Sequence, residues 1–282
     1  MSEEQGILYI CATPIGNLED VTIRLLKTLR QADLIACEDT RHTLKLLNRY
    51  RIKRPLTSYH QHSKLEKADY IIGQLQEGKR VALVSDAGMP GISDPGTALV
   101  AKAIENGIKI EVVPGPSAVI SALSLSGMDT TSFIFAGFLP SRRGERQKAI
   151  NAIAREPRTI VLYEAPHRLL DTLRDLAEII GEERPAAVMR EMTKLHESVV
   201  RDTVGKLLEH FEQDKPRGEI TLVIAPYLPP PSGEISLDQV MLEVEELIER
   251  GMEKKEAFKL KAREYKIAKS TIYNRYFDKI RQ

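Results

Sequence analysis

The chain has 282 residues, 42% of them hydrophobic and 29% charged, with a formal net charge of +1. The length suggests two domains, and the balance fits a soluble globular protein and excludes a molecule drawn as a whole to nucleic acid or membrane. Any polyanion site must come from local clusters of Lys and Arg. The two cysteines, Cys11 and Cys37, lie inside apolar runs. They read as buried core thiols in a reducing compartment, not as a disulfide or a zinc pair. Met1 to Gln5 is polar and acidic, without a basic-plus-apolar leader, and no apolar run reaches the length of a membrane span. The expectation is a cytoplasmic protein with no membrane association.

Ile7 to Cys11 reads as a buried strand, and Thr22 to Gln31 as a helix with Leu25, Leu26 and Leu29 on one face. Leu34 to Cys37 and Leu56 to Tyr59 are further strands. Lys64 to Glu77 is a helix stopped by Gly78. Val81 to Ser85 is a strand, Thr97 to Asn106 a helix closed by Gly107, and Ile108 to Val113 a strand. Residues 1–115 thus form one α/β domain. Residues 116–228 form a second, with a helix at Ser117 to Ser126 and strands at Phe133 to Phe138, Thr159 to Tyr163, Ala186 to Met189 and Glu219 to Ala225. Its other helices are Arg168 to Ile180 and Thr203 to Phe211. Alternation of this kind implies parallel pairing, with ligands at the carboxyl ends of the strands.

Three consecutive prolines with Ser-Gly make residues 229–233 a stiff linker. Beyond it, residues 234–253 hold seven acids and one base, whereas residues 254–282 hold ten bases and three acids. Only helical periodicity remains there, broken near Gly251 and near Lys266-Ile267-Ala268. Three short helices fit, the last opening near Ser270 and carrying Tyr273, Asn274, Arg275 and Tyr276. This all-helical module has the outline of a helix-turn-helix, or of a dimerising or merely solvated tail.

Three loops that follow strands expose backbone. Ala12 to Asp20 lacks the Gly-x-Gly-x-x-Gly of a dinucleotide fold and reads equally as a turn capped by Asn17 or Asp20. Ser85 to Gly96 packs three glycines and two prolines into twelve residues, so a ligand can lie against its N–H and C=O groups. Val113 to Ala118 is a third. On one sheet edge they make a pocket.

The motifs Thr13-Pro-Ile-Gly-Asn-Leu-Glu-Asp-Val-Thr22, Glu38-Asp-Thr-Arg41, Ser85 to Gly96 and Pro114-Gly-Pro-Ser117 resemble the tetrapyrrole-methylase superfamily. Tyr163-Glu-Ala-Pro-His-Arg168 and Arg190-Glu-Met-Thr-Lys194 narrow the resemblance to its rRNA small-subunit (cytidine-2′-O)-methyltransferase branch, over roughly residues 7–226. The resemblance implies two α/β domains with S-adenosylmethionine (SAM) folded back on itself in the cleft between them. It implies a cofactor site of Pro14, Asp86, Gly88, Met89, Ile92, Ser117, Ala118, Tyr163, Glu219 and Ile220. It also implies a homodimer, and 16S rRNA or the small ribosomal subunit as partner. The chain has Met89 where the tetrapyrrole enzymes carry the Asp of a Gly-Asp-Pro turn, and it lacks their Gly-x-Gly-Asp after the first strand. Both departures argue against a porphyrin.

A 2′-O-methylation is an in-line displacement that needs alignment and a destination for the hydroxyl proton, and no metal. His60-x-His62 reads as surface histidines sooner than as metal ligands. Glu164, His167, Glu191 and Lys194 are candidate bases, with water as the other proton acceptor; a raised Glu or a lowered Lys pKa would mark the base. For RNA, the segment Ser141-Arg142-Arg143-Gly144-Glu145-Arg146-Gln147-Lys148 reads as a basic loop, with Arg41, Arg168 and Arg190 beside it. Glu38 and Asp39 would orient Arg41 or a ribose hydroxyl. Two rivals make different predictions. A methylase of tetrapyrrole-like small molecules requires an apolar, acid-poor pocket. A non-enzymatic nucleic-acid-binding protein would act through residues 254–282 and have no use for SAM.

Overall fold

The apolar runs of the first half become five strands of one sheet in the computed structural model, which describes residues 6–60, 64–94, 96–229, 237–249, 251–265 and 267–281. His62, Pro95 and most of the proline linker lie outside the described residues. The strands are β1 (Ile7–Cys11), β2 (Leu34–Cys37), β3 (Leu56–Ser58), β4 (Arg80–Val84) and β5 (Lys109–Val113). They pair all in parallel, in the order β3-β2-β4-β1-β5. Helices α1 (Ile23–Gln31), α2 (Thr40–Arg49), α3 (Lys64–Gln76) and α4 (Gly96–Glu105) supply the crossovers. Both faces are covered: Leu8, Leu34 and Leu83 meet Ile71, Leu75 and Leu99 on one, while Cys11, Cys37 and Val84 meet Leu25, Leu29 and Leu46 on the other. Burial pushes the Cys11 thiol up to about 12, so it is an inert core group.

Helix α2 is absent from the sequence reading because Thr40 to Arg49 is mostly polar. Asp39 nonetheless caps it by accepting the Arg41 N–H, and Thr43, Leu46 and Leu47 give it a buried stripe at helical spacing.

The second sheet holds β6 (Phe133–Phe138), β7 (Thr159–Glu164), β8 (Pro185–Arg190), β9 (Ser198–Thr203) and β10 (Ile220–Ile224), in the order β6-β7-β10-β8-β9. Here the expected parallel pairing is corrected. Only β6 and β7 are parallel; β10 is antiparallel to β7 and β8, and β8 is antiparallel to β9. Residues 191–197 join β8 to β9, too short a span for a crossover. Helices α5 (Ala118–Ser126), α6 (Arg143–Ile153), α7 (Leu169–Ile180) and α8 (Val204–Gln213) complete this half. The basic segment read as a loop is therefore largely the start of α6, whose buried side is Arg146 and Ile150. Ile15 from the first half packs with Val119, Leu123, Val161, Met189 and Met192 of the second, joining the two halves through one apolar cluster.

Residues 1–227 form one compact unit and residues 228–282 another. The latter contains α9 (Leu237–Glu249), α10 (Lys254–Glu264) and α11 (Lys269–Arg281), with breaks where the sequence placed them. Val240, Met241, Val244, Ala257, Phe258, Ile272 and Tyr276 form its core. Lys261 bridges Glu243 at 2.6 Å and Glu264 at 2.9 Å. Tyr276 thus packs inward, while Tyr273 on the same helix is half exposed. No helix among the described residues is long and apolar enough to cross a membrane.

Candidate active site

The carboxyl ends of the first sheet carry the three backbone-rich loops, and hydrogen bonds fix two of them to each other. Thr13 and Gly88 form an isolated antiparallel bridge: the Thr13 N–H donates to the Gly88 carbonyl at 2.9 Å and the Gly88 N–H to the Thr13 carbonyl at 3.1 Å. Gly88 has φ +77°, a conformation a side chain would strain, so glycine is what lets the loop turn back onto β1. The Thr13 and Ser85 hydroxyls, donating to Ser85 and Gly88 carbonyls, tighten the same turn. Asp94 closes the far end of the loop, its Oδ1 accepting the Gly91 and Gly96 N–H groups at 2.8 and 2.7 Å.

The second half reaches this edge through the 191–197 connection. Asn17 N–H donates to the Thr193 hydroxyl at 2.9 Å. The approach is close enough that a Cβ on Gly16 would stand 2.6 Å from both Thr193 Oγ1 and Lys194 Cγ, and 2.8 Å from the Met192 carbonyl oxygen. Glu191 (φ 52°) and Thr193 (φ 66°) sit in the left-handed region that costs a non-glycine residue about 1–3 kcal/mol.

Between these walls lies a cavity of about 390 Å3, within the range of small-molecule sites. Of the sequence-predicted cofactor residues, Asp86, Gly88, Met89, Ile92, Ser117, Ala118, Tyr163, Glu219 and Ile220 all line it; Pro14 does not, and its neighbour Ile15 does. Sequence reasoning missed Phe138, Met192 and Thr221. A signal existed for Phe138, an apolar residue at a strand's carboxyl end. It is half exposed and its ring lies 5.5 Å from that of Tyr163. Five carboxylates line the cavity (Glu38, Asp86, Asp94, Glu164 and Glu219), and no Lys, Arg or His does among the described residues. Such a wall suits cationic groups and hydroxyl donors and disfavours a bare phosphate. The acid-poor pocket required by the tetrapyrrole rival is not what stands here.

The candidate bases separate. Glu164 lines the cavity but is spent: it accepts from the Thr172 hydroxyl at 2.6 Å and the Ala165 N–H at 2.8 Å, with Arg168 Nε 3.4 Å away. His167 is exposed. Lys194 Nζ donates to Glu191 at 2.8 Å and Glu219 at 3.0 Å. Burial works to lower the Lys194 pKa, but these two carboxylates outweigh it and raise the value. Burial likewise works upward on Glu191, but hydrogen bonds from Lys194 and the Glu219 N–H hold its carboxyl below the ordinary range. Both shifts run opposite to what a base needs. Glu38 shows the sought direction, raised first by burial and then by Asp86, Asp94 and Asp39.

The candidate RNA residues separate as well. Arg142 is open, its side chain 84% exposed, with the exposed Glu145 carboxylate 3.6 Å away. Arg41 is equally open but held bidentate by Asp39, which hydrogen bonds from Arg41 pull down to about 2. Arg190 donates to the Ser198 hydroxyl at 3.1 Å. Two expectations are corrected. Arg146 is buried, its Nε 2.7 Å from the buried Asp175, a carboxylate that Arg143 Nε also reaches at 3.2 Å. Arg168 turns inward to the Leu139 and Pro140 carbonyls. Both anchor α6, α7 and the turn before them and leave no guanidinium for a phosphate.

The family model for tetrapyrrole (corrin/porphyrin) methylases matches residues 7–208. The chain belongs to that family. Among tetrapyrrole methylases it is similar to the ribosomal RNA small subunit methyltransferase I of Thermotoga maritima, 53% identical over 78% of this chain and 98% of that one. It is also similar to the protein of that name from Synechocystis, 45% identical over 95% of this chain and 96% of that one. A solved family fold, uroporphyrin-III C-methyltransferase from Thermus thermophilus complexed with S-adenyl homocysteine, is 18% identical with a TM-score of 0.56, over 78% of this chain and 96% of that one.

Proposed function

We propose that this protein transfers a methyl group from SAM to ribosomal RNA of the small subunit, and that the acceptor is the 2′-hydroxyl of a cytidine in the decoding region of 16S rRNA. The observation that carries the reading is the acid-lined, base-free cavity at the strand ends, in a chain whose relatives are named rRNA small subunit methyltransferases. SAM, when bound, supplies an activated sulfonium methyl. The residues present suit it: carboxylates for its two cationic groups, Met89, Ile92 and Ile220 for apolar contact, and the Ser85 to Gly96 backbone for hydrogen bonds. The Thr13–Gly88 bridge and the Asn17–Thr193 bond fix the walls, so the acceptor hydroxyl meets a pre-formed geometry.

The phosphates of the RNA stay outside the acidic cavity, and the exposed Arg142 and Arg41 are the cations offered to them. The basic residues of 254–282 add RNA affinity and leave catalysis unchanged. The reading includes a homodimer, and Ile23 and Val112 are exposed apolar side chains available to it. It also places the protein in the cytoplasm, where its RNA is. The test is transfer from methyl-labelled SAM to small subunits from cells lacking the gene, followed by mass mapping. Label on a cytidine ribose is expected. SAM binding without label in RNA would refute the reading.

A further inference from the structure

Four of the five cavity carboxylates already hold donors. Asp86 Oδ1 accepts the Asp39 N–H at 3.0 Å, Asp94 takes two glycine N–H groups, Glu164 takes the Thr172 hydroxyl, and Glu219 pairs with Lys194. Glu38 is the exception: no described residue donates to its side chain. It stands at the carboxyl end of β2, beside β4 through the Cys37–Val84 pairing, half buried and facing the cavity. The charges around it are Asp39 from its own strand end and Asp86 and Asp94 from the loop after β4. Arg41 on α2 turns to Asp39 instead, and the Tyr59 phenol at the end of β3 is itself raised by burial. A carboxylate left free, flanked by acids and open to a ligand, is built to take a proton.

We propose that Glu38 is the catalytic residue that accepts the proton of the methyl-acceptor hydroxyl. The assignment rests on the methyltransferase reading above. A lone pair of the hydroxyl oxygen forms the new O–C bond, the C–S pair returns to sulfur to leave a neutral thioether, and the O–H proton passes to a Glu38 carboxylate oxygen. Glu38 then releases it to water. Charge and electrons balance without a further reactant.

The experiment compares full-length wild type, Glu38→Gln and Glu38→Asp by SAM calorimetry, by kcat and KM on small subunits across pH, and by carboxyl NMR titration of the 13C-Glu-labelled chain. The expected result for Glu38→Gln is a kcat lowered by about 10²–10⁴-fold, a larger factor than any change in SAM affinity or RNA KM. The rising acid limb of the wild-type kcat profile vanishes, and one raised carboxyl titration disappears from the spectrum. Glu38→Asp keeps the limb at reduced rate, and it carries the comparison if the Gln variant misfolds. A Glu38→Gln kcat equal to wild type, or an intact acid limb, overturns the assignment while leaving the methyltransferase reading standing. A wild type that binds SAM and methylates no RNA overturns both.

Discussion

Replacing Arg146 by Ala separates architecture from RNA binding at the start of α6. The Arg146 and Asp175 side chains are 5% and 2% exposed and meet at 2.7 Å. Removing one partner of a buried pair costs about 3–5 kcal/mol, because the other is left charged out of water. Asp175 would keep Arg143 Nε at 3.2 Å and Gln147 Nε2 at 3.1 Å, which favours the lower end. For a unit of 227 residues, about 3 kcal/mol at 2–4 °C each is a fall of roughly 6–12 °C in Tm. Scanning calorimetry reads that fall, and RNA KM measured well below the transition should match wild type. An unchanged Tm with a raised KM would refute the structural assignment and return Arg146 to the RNA surface.

Arg142→Ala should do the reverse: Tm stays, RNA KM rises, and the slope of log KM against log salt falls by about 1, as for one lost phosphate contact. Gly16→Ala drives a Cβ into Thr193 and the Met192 carbonyl, so we expect a loss of about 1–3 kcal/mol in urea denaturation together with weaker SAM binding in calorimetry. Glu38→Gln should change the pH dependence of stability. A carboxyl raised above its ordinary 4.5 stabilises the fold while protonated and loses that contribution as pH rises through the raised value. The variant's Tm should therefore exceed wild type at neutral pH and converge with it below pH 4.5, as thermal scans at both values would read. Ending the chain at Tyr227 should leave SAM affinity intact and raise RNA KM; an unchanged KM would exclude residues 228–282 from substrate binding.

What the sequence disclosed depended on whether a single local signal governed the element. β1, β2 and β4 are buried on both faces and announce themselves as apolar runs, and α1 carries its own cap at Thr22. β9 is an edge strand with exposed Arg201 and Asp202, so no alternation marks it. α6 hides because one of its two buried residues is an arginine whose partner, Asp175, lies 29 residues on. The cavity was legible for the same reason as the inner strands, since Gly- and Pro-rich turns follow recognisable strands. Its electrostatics were not. That Glu38 is free while Glu164 and Glu191 are occupied depends on Thr172, Lys194 and the Glu219 backbone, which only folding brings together.

The bridge between Thr13 and Gly88 is made wholly of main-chain atoms. A wall drawn this way constrains torsion angles, which fixes glycine at 88 and leaves the neighbouring side chains at 87 and 92 free. Ala87 and Ile92 face the cavity from a frame they do not themselves maintain. They are therefore the positions to exchange in engineering the protein for enlarged sulfonium analogues carrying groups other than methyl: the pocket can be recarved residue by residue while its scaffold stays in place.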